Sequence, residues 1–236
     1  MNPAERKPTR RIVIACSGAT LPAVLAALLR HLAVGPGDEL RGLFIEDSDM
    51  LKAAGLPFTF EFSSITRSAR PIDRERVENA LRHAAAAVQR DLARLAAEAG
   101  LSWHFEVVRE RRRVALDALL KMTDAVFLAP SADSTDVLSS TSPAPVLALI
   151  DDGAAGSRAL ALARAVAEAE HAPLAIYRAS SATANAAGTT AGSPLARLAQ
   201  RPVARLAIVA APLLASAEHP LTELCEASLA PLVIVR

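Results

Sequence analysis

The sequence predicts an α/β fold on a parallel sheet, laid out as two tandem halves of which the second is truncated. Three observations predict it. Short apolar runs bounded by Gly, Pro, Asp and Ser, such as Arg11–Cys16, Ala125–Leu128 and Pro145–Ile150, suit strands buried on both faces. Segments with apolar residues three and four apart alternate with those runs, as βαβ units require. The pattern strand–Gly–helix–strand also occurs twice, over Ile12–Ile45 and over Val146–Tyr177, by pattern more than by identity.

Taken in order, Arg11–Cys16 (RIVIAC) is the first strand, and Ser17-Gly18 turns the chain into a helix marked by Leu21, Val24, Leu25, Leu28, Leu29 and Leu32. Gly35-Pro36-Gly37 stops that helix, and Leu40–Ile45 forms a second strand that ends at Glu46-Asp47. An insertion follows over Ser48–Pro71. Within it Asp49–Gly55 predicts a short helix, and Phe58, Phe60 and Phe62 alternate onto one side. That segment reads either as an edge tucked over the sheet or as a dimer or partner surface. The longest helix is expected over Asp73–Ala99, with Asp73 as N-cap and Gly100 as C-cap.

Trp103–Val108 alternates as a third strand, and Arg109–Arg113 (RERRR) reads as a solvated turn leading into a helix over Val114–Met122, with a phosphate contact as the sharper alternative. Ala125–Leu128 is a fourth strand and Pro145–Ile150 a fifth, expected to link the two halves. The second half continues with a helix over Ala154–Ala169 and strands over Pro173–Tyr177, Leu206–Val209 and Leu232–Val235, with a short helix over Pro220–Ala227. Ala179–Ser193, small and repetitive, reads as a flexible segment standing in for a longer element. The division expected is one domain over 1–143 and a shortened one over 144–236.

Composition narrows the function. With 26 basic and 25 acidic residues the net charge is +1, which supplies no drive toward nucleic acid or an anionic membrane. No apolar run reaches the ~18 residues of a membrane span. No signal-peptide pattern follows the charged amino end, so a cytoplasmic protein is expected. Cys16 and Cys225 are too few for a disulfide framework or a zinc site and read as buried thiols. His31, His83, His104, His171 and His219 form no ligand spacing, and neither a GxSxG elbow nor a GxGxxG fingerprint occurs, so no catalytic residues and no metal site are expected.

RIVIACSG, LRGLFIED, the helix–WHFEVV–helix–DAVFLA series and the endings APVLALI and APLVIVR resemble, in that order, the universal stress protein family. The resemblance implies an adenine-nucleotide α-hydrolase-like fold. It also implies a phosphate cradle of GxxG, nine residues and Gly-Ser or Gly-Thr after the fourth strand in members that bind ATP. Here Ala129-Pro130-Ser131-Ala132 and Ser142-Pro143 stand at those places, and all three glycines are missing. Glycine matters there because a Cβ keeps backbone N–H groups from closing on phosphate.

The expectation is therefore a non-catalytic regulatory or partner-binding protein without a cofactor. It self-associates, as a homodimer for instance, or binds a protein partner. The alternative is an ATP-binding member with a divergent cleft made of Ser17, Gly18, Thr20, Ser131, Ser134, Asp152 and Gly153. Ser17-Gly18-Ala19-Thr20 and Gly153-Ala154-Ala155-Gly156-Ser157 each open a helix, whose free N–H groups favour anions. Asp151 and Asp152 would repel phosphate unless a divalent cation intervened.

Overall fold

A computed structural model describes residues 10–18, 21, 23–32, 38–63, 67–129, 144–179, 204–215 and 230–236. Thr20, Ser131, Ser134, Cys225, the Gly35–Gly37 stop, the helix expected over Pro220–Ala227 and residues 180–193 lie outside them.

The first βαβ unit is β1 (Arg11–Cys16), α1 (Val24–His31) and β2 (Glu39–Asp47). β1 and β2 pair in parallel, Ile14 opposite Gly42, as a crossover helix demands. The insertion then forms α2 (Ser48–Ala54), β3 (Phe60–Ser63) and β4 (Ser68–Pro71). α3 (Arg74–Ala99) returns the chain to β5 (Ser102–Glu110), which lies parallel beside β2. The caps of α3 are the expected ones: the Asp73 carboxylate accepts from the Glu75 N–H, and Gly100 sits in the left-handed region at φ 66°. Next come α4 (Arg112–Met122) and β6 (Ala125–Leu128), then β7 (Val146–Ile150), α5 (Ala154–Ala169), β8 (Leu174–Arg178), β9 (Leu206–Ala210), a single turn α6 (Pro212–Ala215) and β10 (Leu232–Val235).

Eight strands join one sheet in the order β5-β2-β1-β6-β10-β9-β7-β8. All neighbours are parallel except β6 and β10, which run antiparallel with Leu128 opposite Leu232. The strands from the first half therefore all run one way, and those from the second half run the other. The fold is α/β with a mostly parallel sheet. Pro145–Ile150, expected to link the halves, lies within the second half as β7, between β9 and β8, and the halves meet where β10 pairs with β6. The reason is side-chain chemistry: Val-Leu-Ala-Leu-Ile and Leu-Val-Ile-Val are both buried throughout, so apolar content alone does not say which strand takes the seam.

α1, α3 and α5 pack on one face, where Ile12, Ile14, Phe44, Phe127 and Val233 meet Leu25, Leu28, Leu92 and Val166. The opposite face presents Val13, Ala15, Leu43, Val126, Leu147 and Ile234, with Leu116 from α4 and Leu214 from α6. Gly42 is required by this packing. A Cβ there would overlap the Leu92 Cδ2 methyl of α3 and the Phe105 ring of β5.

Candidate functional site

In an open parallel sheet the carboxyl ends of the strands are where ligands gather. This sheet has two such ends, because its halves run in opposite directions. Ser17 and Gly18 follow β1 at one edge, together with Ala129 after β6 and the start of α4. Asp152 and Gly153 follow β7 at the other edge, beside Arg178 of β8. Of the residues grouped by sequence into one cleft, the described ones fall into two sets at opposite ends of the strands, Ser17 and Gly18 at one and Asp152 and Gly153 at the other, so Ser17 and Asp152 cannot hold one small ligand together.

At the first edge Gly18 is buried and Ser17 half-buried. Cys16, the last residue of β1, lies against the Leu43 carbonyl, with Sγ 3.7 Å from that oxygen. Burial pushes its thiol up from 9.0 to about 12, against a smaller opposing pull from the Arg112 guanidinium. A thiol held neutral in this way is a packing group and not a nucleophile.

Arg112 donates from Nη2 to the Ala129 carbonyl at 3.4 Å. The Ala129 N–H is itself engaged, donating to the Ala15 carbonyl at 2.9 Å. The amide at the place where a phosphate cradle would open is therefore part of the sheet ladder. Two other arginines of the run have carboxylate partners: Arg109 meets buried Glu46 at 2.9 Å, and Arg111 meets Asp49 at 3.3 Å. The run leads into a helix as expected but is not a turn: Arg109 and Glu110 end β5 and Arg112 begins α4, and part of the run's charge ties β5 and α4 to the ends of β2 and α2.

At the second edge Asp152 accepts from Arg178 at 3.0 Å, and both side chains are exposed. Gly153 caps α5 without a side-chain hydrogen bond. Asp151 Oδ1 is shielded and has no hydrogen-bond partner. Gly156 is the residue that permits this, since a Cβ on it would overlap both the Asp151 carbonyl and Oδ1. The second Gly of Gly153-Ala154-Ala155-Gly156 thus serves close packing of helix on strand end. Beyond Asp151, between α1 and α5, a groove of about 580 Å³ runs over Ile12, Ala125 and Val235, with Arg10, Asp124 and Arg158 at its mouth. Three of its polar groups are bonded within the protein: Arg10 with Asp38, Arg158 Nε with the Arg236 carbonyl at 2.9 Å, and the Asp124 carboxylate with the Arg11 N–H at 3.2 Å.

No protein-family model matches the chain, and no curated protein does. Among solved structures the chain is similar to a universal stress protein from Archaeoglobus fulgidus DSM 4304, at 13% identity over 98% of this chain and 99% of that one, with a TM-score of 0.37.

A third feature lies off the main sheet. β3 and β4 form a separate antiparallel hairpin, with Phe60 opposite Pro71, Glu61 opposite Arg70 and Phe62 opposite Ala69. The expectation of an edge tucked over the sheet is overturned here. Phe58 is 91% exposed, Phe60 58% and Phe62 68%, with Leu56 and Met50 exposed beside them. Strand alternation could place the phenylalanines on one side. It could not find their partner strand, because Ser-Ala-Arg-Pro carries no β signal. Phe58 also holds a left-handed backbone at φ 64°, uncommon for a bulky residue.

Among the described residues no three His, Cys, Asp or Glu side chains are grouped to hold a metal ion, and no helix is long and apolar enough to cross a membrane.

Proposed function

We propose that this chain is a non-catalytic, universal stress protein-like regulatory module of the cytoplasm that acts by docking protein through the β3–β4 hairpin, and that it does not hold ATP in the manner the family resemblance implies. The exposed phenylalanine face carries this reading. Three aromatic rings left in water forgo about 2 kcal/mol each of burial, and one of them keeps a left-handed backbone as well. Sparsely populated backbone conformations cluster where a protein binds or switches. The main-chain chemistry after β6 supports the second clause. Ala129 and Pro130 occupy the start of the cradle, and the Ala129 amide is already bonded to β1.

A second reading is favoured by Arg112, which brings a guanidinium to the carboxyl end of β1 and β6 beside Ser17 and Gly18. That reading is a nucleotide-binding protein with a divergent site. Calorimetric titration with ATP and Mg²⁺, together with mass analysis of small molecules carried through purification, separates the two. We expect no saturable binding at micromolar protein. Tight binding lost on Ser17→Ala with Arg112→Gln, or on Asp152→Ala, overturns the proposal, and the variant that loses it names the edge of the sheet.

A further inference from the structure

We infer that the partner of the hairpin is a second copy of this chain, two hairpins stacking through their phenylalanine faces about a two-fold axis. The inference rests on reading the hairpin as a docking surface and goes beyond it by naming the occupant. Cross-strand partners share a face, so Phe60, Pro71, Phe62 and Ala69 line one side, while Glu61 and Arg70 form an ion pair on the other. A two-stranded sheet with one bare apolar side is marginal by itself and needs a further layer. The main sheet does not supply that layer, since all four of these residues are exposed.

Area and charge select the occupant. A Phe side chain offers roughly 200 Å², so Phe58, Phe60 and Phe62 with Leu56 present on the order of 500 Å² of apolar surface. Two copies would together remove about 1,000 Å² from water, the size at which a specific interface begins. The patch also carries little net charge. Over residues 48–71 Lys52 and Arg70 pair with Asp49 and Glu61, which leaves a formal +1 from Arg67. So small a charge gives little attraction for anionic lipid or nucleic acid. It lets an identical surface approach with little like-charge repulsion, as an isologous contact requires.

Sedimentation of the full chain over a range of concentrations tests this, beside a Phe60→Asp/Phe62→Asp variant whose circular dichroism and melting show whether it still folds. We expect a concentration-dependent dimer that the double variant weakens at least ~30-fold, and that Glu61→Gln, on the other face, leaves in place. An Ala69→Cys chain in a Cys225→Ser background should form a disulfide-linked dimer on mild oxidation, whereas Cys225→Ser alone should not. A dimer that persists in the Phe60→Asp/Phe62→Asp chain overturns the inference, because another surface then holds it. So does a wild-type chain that stays monomeric at every concentration.

In that last case 8-anilinonaphthalene-1-sulfonate fluorescence separates the two claims. If the monomer binds the dye and the double variant does not, self-pairing fails and the docking reading stands. Sedimentation of that monomer with phosphatidylserine vesicles, again lost in the double variant, would assign the face to lipid. If the monomer binds no dye, the face is closed in solution and both claims fail.

Discussion

The two crossovers, β1–α1–β2 and β7–α5–β8, share a sequence pattern, place their helices on the same face of the sheet and run in opposite directions. They solve the same packing problem differently. α1 has eight residues and fills its contact with Val24, Leu25, Leu28 and Leu29. α5 has sixteen and lays Gly156, Ala159, Ala163 and Ala167 against the strands, with Leu162 and Val166 beside them. One helix packs by volume and the other by closeness. The glycine at the start of α5, which in sequence suggests a cradle for an anion, is the means by which α5 reaches Asp151. A Gly at the head of a helix therefore points to a ligand only after packing has been excluded as its cause.

That contrast can be broken by substitution, and the largest effect is expected in the helix that packs by volume. Leu28→Ala should lower stability by about 4 kcal/mol, since a fully buried side chain is lost and its neighbours relax only in part. Urea denaturation measures it, and a loss under 1 kcal/mol would mean that α1 is loosely packed. Gly156→Ala should cost about 3 kcal/mol because the new methyl meets a backbone carbonyl that has little room to give. A neutral outcome there would restore the ligand explanation for that glycine. Ala163→Leu should cost about 2 kcal/mol by overpacking the close helix.

Cys16 sharpens the comparison from the strand side, because Ile150 ends the corresponding strand β7 with a group that does not titrate. In the fold its thiol is held at about 12, so the unfolded chain ionises first as pH rises past 9. Stability from this group is complete below pH 9 and should decline by roughly 1 kcal/mol per pH unit above it. Cys16→Val should remove that part of the slope in denaturation measured between pH 8 and 10. The smallest effect belongs to a helix end outside both crossovers: Asp73→Ala should cost about 1 kcal/mol through the lost bond to the Glu75 N–H.

Local pattern carried most of the elements. β1, β2, β6, β7 and β10 are apolar runs whose length says strand, and Asp73 and Gly100 announce the ends of α3 by their own chemistry. What the sequence withholds is non-local. Nothing in Leu-Val-Ile-Val says that it pairs with Ala-Val-Phe-Leu, or that it does so antiparallel. Once that direction is missing, Ser17 and Asp152 look like equivalent halves of one cleft, because each follows a strand and precedes a helix. In the fold the same equivalence sends them to opposite edges. β4 was hidden for a related reason: Ser68–Pro71 is a strand only because Phe60–Ser63 lies opposite. Arg112 stood in a charge run whose members look alike in sequence, and position alone distinguishes it from Arg109 and Arg111.

The antiparallel meeting of Leu128 with Leu232 also governs the order of events at the ribosome. β6 leaves the exit tunnel about a hundred residues ahead of the strand that covers it, a span that synthesis at ~5–20 residues per second crosses in several seconds. Throughout that interval its free rim of Val126, Phe127 and Leu128 is open to any passing extended chain. An unpaired apolar edge of this kind is where chains aggregate while the second half is still being made.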